Sequence, residues 1–220
     1  MGMGIEVRHR IAKRAAEEIK DGMIVNLGIG IPTLVADFLP PAIDVMFHAE
    51  NGILGTGPSP EKGSEDPTLC NAGGFPITTV PGASYFDSAI AFGIIRRGLL
   101  DITILGALEV SETGDLSNWI VPGKRVPGMG GAIELAQKTK KVIVVMKHID
   151  RNGNSKIVRQ CQLPLTAKSC VDLIITDMAV IEVTIDGLVL KEVMPPFSVD
   201  EVIKATDAPL QLVKEIKYIS

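Results

Sequence analysis

The sequence predicts an α/β fold: an open, mostly parallel sheet flanked by helices. Three observations carry that expectation. Short apolar runs rich in Val, Ile and Leu recur along the chain, as in strands buried on both faces. Segments with helical spacing lie between several of these runs, and that alternation produces parallel strands joined by crossover helices. Gly-rich turns follow the strand ends, where open parallel sheets bind their ligands. With 220 residues, 46% apolar and 22% charged, the chain can bury a core without disulfides and is too apolar for disorder. Residues 1–220 are expected to form one domain, with no internal repeat, low-complexity tract or linker.

From Ile5 to Lys20, apolar Ile11, Ala12, Ala15, Ala16 and Ile19 recur at helical spacing, and Asp21-Gly22 ends that helix. A short buried strand, Met23 to Leu27, runs into the turn Gly28-Ile29-Gly30-Ile31-Pro32-Thr33. A helix over Pro32 to Phe38 follows, with proline placed where a first-turn N–H needs no partner. Further strands are expected at Ile43 to Phe47, Ile77 to Val80, Asp101 to Leu105, Val142 to Met146, Leu173 to Thr176 and Val180 to Ile185. Helical patterns fall near Asp87 to Arg97 and Gly131 to Lys138. A last helix starts at Ser198, whose hydroxyl forms a capping box with Glu201.

Composition removes several function classes. A net charge of −4 lacks the basic face that phosphate neutralisation demands, so no nucleic acid is expected as partner. Cys70, Cys161 and Cys170 match neither CxxC nor a zinc ligand set, and fit reduced thiols in a cytoplasm. His9, His48 and His148 stand too far from one another and from cysteine for the usual ligand spacings, so no metal site is expected. The N-terminal segment is charged and has no apolar h-region. The longest uncharged stretches, Gly22 to Ala36 and Pro67 to Phe86, are broken by Gly, Pro and Asn, so neither a signal peptide nor a membrane span is expected.

Familiar motifs fail on spacing. Gly28-x-Gly30 meets Thr33 and Gly128-x-Gly130 meets Ile133 where a dinucleotide fingerprint needs its third glycine. Gly123-Lys124 is followed by Arg125 instead of the Ser or Thr of a phosphate loop. Gly82-Ala83-Ser84-Tyr85-Phe86 lacks the last glycine of a nucleophile elbow. What remains is Ala49-Glu50-Asn51-Gly52-Ile53-Leu54-Gly55, which puts a carboxylate directly after a buried strand, on a turn whose Asn and Gly tolerate positive φ. That is a place for a reactive carboxylate, and equally for one that caps or pairs locally. A second loop, Pro127 to Ala132, has bare glycines whose backbone N–H groups can approach an oxyanion, or simply make a tight turn. The second half of the chain holds 14 of the 22 Lys and Arg residues, and is the better place to seek cations for an anionic ligand.

Together these stretches resemble the B (β) subunit of the family I coenzyme A transferases. The resemblance rests on Asp21-Gly22-Met23, Asn26 to Pro32, Glu50 to Gly55, Asn71-Ala72-Gly73, Pro81 to Ser84, Phe86-Asp87-Ser88, Leu105 to Leu108, Asn118-Trp119, Val121 to Lys124, Gly128 to Ala132 and Leu163 to Thr166, in order across about residues 5 to 190. It implies the CoA-transferase and sugar-phosphate isomerase-like fold. Three departures stand out: Ala49 replaces a usual Ser, Gly74 a Lys found in some members, and Arg96-Arg97-Gly98-Leu99 a common Arg-Gly-Gly-His. Asn71-Ala72-Gly73-Gly74 is similar to the bacterial butyrate and acetate–acetoacetate enzymes more than to the animal ketone-body enzyme.

The resemblance implies Glu50 as the nucleophile. For contacts to CoA or the reacting carbonyl it implies Asn26, Gly28, Gly30, Asn51, Gly52, Gly128, Gly130 and Gly131, and Lys124 and Arg125 are candidates for the CoA phosphates. The implied activity moves CoA between a short-chain acyl-CoA and an acid such as acetoacetate, acetate or butyrate, by ping-pong kinetics through a glutamyl-CoA thioester. CoA is then a substrate, and no tightly bound cofactor is expected. An A subunit of similar size would supply the acyl-acid pocket and a further oxyanion donor, making a hetero-oligomer. The alternatives are an acyl-CoA hydrolase on the same site and a non-catalytic binder of CoA or a phosphorylated metabolite.

Overall fold

Consecutive apolar residues, pointing alternately to two faces, build the centre of the molecule. In β8 (Lys141–Val145), Val142 and Val144 pack into one core while Ile143 and Val145 pack into another on the opposite side of the sheet. The computed structural model describes residues 4–123 and 129–219. Its main sheet has ten strands in the order β13-β12-β11-β10-β8-β5-β1-β2-β3-β4. In chain order these are β1 (Ile24–Leu27), β2 (Met46–Ala49), β3 (Ile53–Thr56), β4 (Thr79–Tyr85), β5 (Ile102–Gly106), β8, β10 (Leu173–Ile175), β11 (Ala179–Thr184), β12 (Gly187–Val193) and β13 (Leu210–Tyr218). The central strands β2, β1, β5, β8 and β10 run parallel, and β12 pairs parallel with β13. Antiparallel pairs extend the centre on both sides. A small second sheet joins β6 (Glu109–Ser111) to β7 (Leu116–Ser117) and β9 (Ile157–Val158).

One face is covered by α1 (Ile5–Ala16) and a 3₁₀ helix (Pro32–Phe38), through Ile11, Ala12, Ala15 and Val35. The other face carries α2 (Ser88–Arg96), α3 (Ala132–Lys138) and α4 (Val199–Ala205), through Ile95, Leu135 and Val202. Arg14 of α1 ties this arrangement laterally: its guanidinium meets Glu192 of β12 at 2.7 and 3.0 Å and Glu18 at 2.8 Å. Lys141 of β8 reaches the same Glu18 at 2.7 Å.

Several expectations need adjusting. α1 ends at Ala16 instead of Lys20, because Glu17, Glu18 and Ile19 donate to carbonyls three residues back and tighten the chain. The segment after Pro32 is 3₁₀. The strand expected at 43–47 lies at 46–49, and the one expected at 77–80 runs from Thr79 to Tyr85. Pro81 is tolerated there because β4 is an edge strand. The capping box at Ser198 is present: Glu201 N–H donates to Ser198 Oγ at 3.3 Å and Glu201 Oε2 accepts from Ser198 N–H at 2.8 Å. Among the described residues no helix is long and apolar enough to cross a membrane.

Candidate active site

The β2–β3 connection is a hairpin, with Ala49 paired to Ile53 and Glu50-Asn51-Gly52 as its loop. Gly52 is required there. Its φ is +119°, and a Cβ would stand 2.0 Å from the Phe86 carbonyl oxygen. Gly52 N–H closes the loop onto the Ala49 carbonyl at 3.0 Å, and Phe86 N–H donates to the Gly52 carbonyl at 3.0 Å. Asn51 turns away from the cleft and donates from Nδ2 to the Cys70 carbonyl at 2.7 Å. The loop therefore pins its own flanks and leaves Glu50 at the rim of the parallel centre.

Asn26, buried near the end of β1, reaches across the rim. Its Nδ2 donates to the His48 carbonyl at 3.1 Å and to Glu50 Oε2 at 3.0 Å, and its Oδ1 accepts from Thr103 Oγ1 at 3.2 Å. His48 lies on β2 two residues before Glu50, buried and stacked on Phe86 at 6.3 Å between ring centroids. Neither of its ring nitrogens has a hydrogen-bond partner among the described residues. Burial holds its pKa below the usual histidine value against the opposing charge of Glu50, so the ring is neutral at physiological pH.

Gly131, just before α3, closes the other side. A Cβ there would come within 3.7 Å of Glu50 Cγ and 3.2 Å of the Phe92 ring. Beside Glu50 opens a cleft of about 560 Å³, lined by Leu27, Ile29, Phe47, Asn71 and Phe75 among others. Asn71 shapes its wall by accepting the N–H groups of Gly73 and Phe75 at 2.9 and 3.1 Å.

The structure thus brings Glu50, Asn26 and Gly131 together. Gly28 is held against β5 by its N–H bond to the Ile104 carbonyl at 2.9 Å, and Gly30 turns the chain at φ +97°. Gly130 takes φ +54° immediately before Gly131. Lys124, Arg125 and Gly128 lie outside the described residues. Of the departures, Ala49 is buried, while Gly74 has φ +78°, a conformation that suits glycine better than the lysine of similar sequences. Arg96 pairs with Glu134 at 2.7 Å, clear of the cleft lining. Sequence reasoning missed Thr103 and His48. Their signal was present: each is a polar residue within or at the end of an apolar strand run.

The family model described as coenzyme A transferase matches residues 8–205. The chain is 61% identical over 212 residues to the beta subunit of a probable coenzyme A transferase of Bacillus subtilis, covering 96% of this chain and 98% of that one. It is 48% identical over 206 residues to the B subunit of the succinyl-CoA:3-ketoacid coenzyme A transferase of Helicobacter pylori strain 26695, covering 94% and 99%. Its fold is similar to that of the acyl-CoA transferase YdiF of Escherichia coli O157:H7, with a TM-score of 0.78 at 21% identity. That match covers 100% of this chain and 44% of the YdiF chain.

Proposed function

The chain belongs to the coenzyme A transferase family as a B subunit, and from that membership we propose that it moves CoA between a short-chain acyl-CoA and a carboxylic acid through a covalent thioester on Glu50. The observation that supports this most is the setting of Glu50. Its carboxylate emerges at the rim of the parallel centre, with one oxygen hydrogen-bonded by the buried Asn26 amide and the cleft open beside it.

In the proposed cycle a Glu50 oxygen attacks the acyl carbonyl of the incoming thioester. The C–S bond breaks, leaving a mixed anhydride and CoA thiolate. The thiolate then attacks the glutamyl carbonyl, the anhydride C–O bond breaks, and the first acid departs with a Glu50 oxygen. A second acid reverses both steps. A carboxylate suits this task because the enzyme-bound CoA remains a thioester, close in energy to both substrate and product. Each attack builds a tetrahedral oxyanion, and one placed donor is worth about 2.7–4 kcal/mol in such sites. Asn26 Nδ2 and the backbone N–H groups at Gly130 and Gly131 are the donors we assign. The neutral His48 ring adds no competing positive charge.

Acetoacetate, acetate and butyrate are the acids proposed, with an A subunit as partner. The test is to mix the chain with its A subunit, add acetoacetyl-CoA, reduce with borohydride and map the modified peptide by mass spectrometry. Modification confined to Glu50 is expected. No adduct, with CoA binding intact and no acid-dependent exchange, would mean that the fold serves binding alone.

A further inference from the structure

β5 is apolar along its length except at Thr103, which is fully buried. A hydroxyl in such a place costs free energy unless it is hydrogen-bonded, and this one meets Asn26 Oδ1 at 3.2 Å. Parallel pairing sets Thr103 opposite Asn26 and Asn26 opposite His48. One lateral row therefore crosses β5, β1 and β2 at the rim where Glu50 emerges.

Chemistry fixes the direction of every bond in this row. The His48 carbonyl only accepts, and so does an ionised Glu50. The Asn26 amide must present Nδ2 to both, at 3.1 and 3.0 Å. Its Oδ1 then faces β5, and Thr103 must be the donor. This bond differs from the Glu50 contact in one respect: it does not depend on the charge of Glu50. When Glu50 is joined to an acyl group or to CoA, it loses its charge and its pull on Asn26 weakens. The Thr103 bond persists through that state.

We propose that Thr103 is a positioning residue for the transfer reaction, holding the Asn26 amide in the orientation that aims Nδ2 at Glu50 throughout the cycle. The proposal rests on Glu50 being the nucleophile. Thr103→Val keeps the shape and removes the donor; Thr103→Ser keeps the donor and removes a methyl group. In the complex with the A subunit, Thr103→Val is expected to lower kcat by about 10- to 100-fold, the scale of loss when a reacting group is misplaced by an ångström. KM for acyl-CoA and for acid should stay within about twofold, and Thr103→Ser should keep kcat within about threefold of the unmodified enzyme. Combining Thr103→Val with Asn26→Ala should cost no more than Asn26→Ala alone, since Thr103 acts through that amide.

Additive losses in the double variant, equal losses in the Val and Ser variants, or a loss confined to KM would each overturn the proposal. If Thr103→Val does not fold, Thr103→Ala against Thr103→Ser supplies the same comparison, because neither crowds the site. Glu50→Gln separates the two readings. An inactive Glu50→Gln alongside additive Thr103 and Asn26 effects overturns the role of Thr103 alone, whereas a fully active Glu50→Gln overturns the nucleophile and this proposal together.

Discussion

At Gly131 the difference between a hydrogen and a methyl group decides how open Glu50 remains. The backbone there, at φ −80° and ψ 1°, has a negative φ that residues with side chains adopt, so no left-handed conformation opposes a side chain. A Cβ would press the Phe92 ring at 3.2 and 3.3 Å and stand 3.7 Å from Glu50 Cγ. Gly131→Ala should therefore change stability by no more than about 1 kcal/mol, because only the edge of a ring must give. It should lower kcat/KM by about tenfold or more, since a methyl group occupies space next to the carboxylate proposed to attack. Thermal denaturation and steady-state kinetics on one preparation check both halves; a large stability loss with unchanged turnover would contradict the assignment. Gly52 makes the contrast. A Cβ there would collide with backbone, at 2.0 Å from the Phe86 oxygen, so its substitution reports on the hairpin and not on the chemistry. Sequence alone could pick out the glycines of both loops, but it could not tell a glycine needed for the path of the chain from one needed to keep a neighbour clear. That distinction lives in contacts between residues far apart in sequence. The same limit hid Thr103: a lone polar residue in an apolar strand was visible, but its partner 77 positions away was not.

His148 shows how a single side chain joins elements. It follows β8, is fully buried, and places Nδ1 2.9 Å from Thr176 Oγ1, just past β10, and Nε2 2.8 Å from Thr206 Oγ1, at the end of α4. A neutral imidazole serves both hydroxyls, as donor at one and acceptor at the other. Burial pushes its pKa down to about 4, against the weaker opposing charge of Asp177. As pH falls below the ordinary value of 6.5, the unfolded chain takes up a proton that the folded chain refuses, so stability declines until about pH 4 and the contribution then levels off. At about 1.4 kcal/mol per unit, the window amounts to about 3 kcal/mol. Urea denaturation across pH 7 to 4 should show the unmodified chain losing about that much more than His148→Gln, which does not titrate; parallel slopes would refute the coupling. Elements like those His148 joins were legible where apolar runs are unbroken, as in β8 and β10. Others were not. In sequence β3 reads as part of a turn because Gly55 interrupts it, and Lys191 and Glu192, the latter held by Arg14 from α1, obscure β12. β13 carries Lys214, Glu215 and Lys217 because it is an edge strand whose side chains are largely exposed. Edge strands need fewer apolar residues, so hydrophobic patterning finds them last.

The whole molecule leaves Glu50 beside an open cleft. The cleft at Glu50 is bordered by Ile29 and Phe75, 64% and 57% exposed, with Gly73 between them: a Cβ there would lie 3.3 and 3.2 Å from their side chains. Large apolar side chains gathered at the mouth of a cleft are costly to leave in water and mark a surface suited to a partner. The proposed chemistry makes the same demand independently. An anhydride or a glutamyl thioester in reach of bulk water hydrolyses, which converts a transferase into a wasteful hydrolase. In that proposed chemistry this chain's own residues would supply the nucleophile, Glu50, and the Asn26 donor, but no wall on that side of the described structure. The isolated chain should accordingly show little acid-dependent exchange, and whatever CoA it releases from acetoacetyl-CoA should be released at the same rate with and without added acetate. Adding the A subunit should raise exchange and make CoA release acid-dependent, because water is then excluded while the second acid is admitted. Both rates come from one assay, free thiol against acyl-CoA exchange, run with each of the two chains alone and with the two mixed. Full acid-dependent exchange by this chain by itself would show that it closes its own site, and that the apolar mouth at Ile29 and Phe75 meets substrate and not a partner.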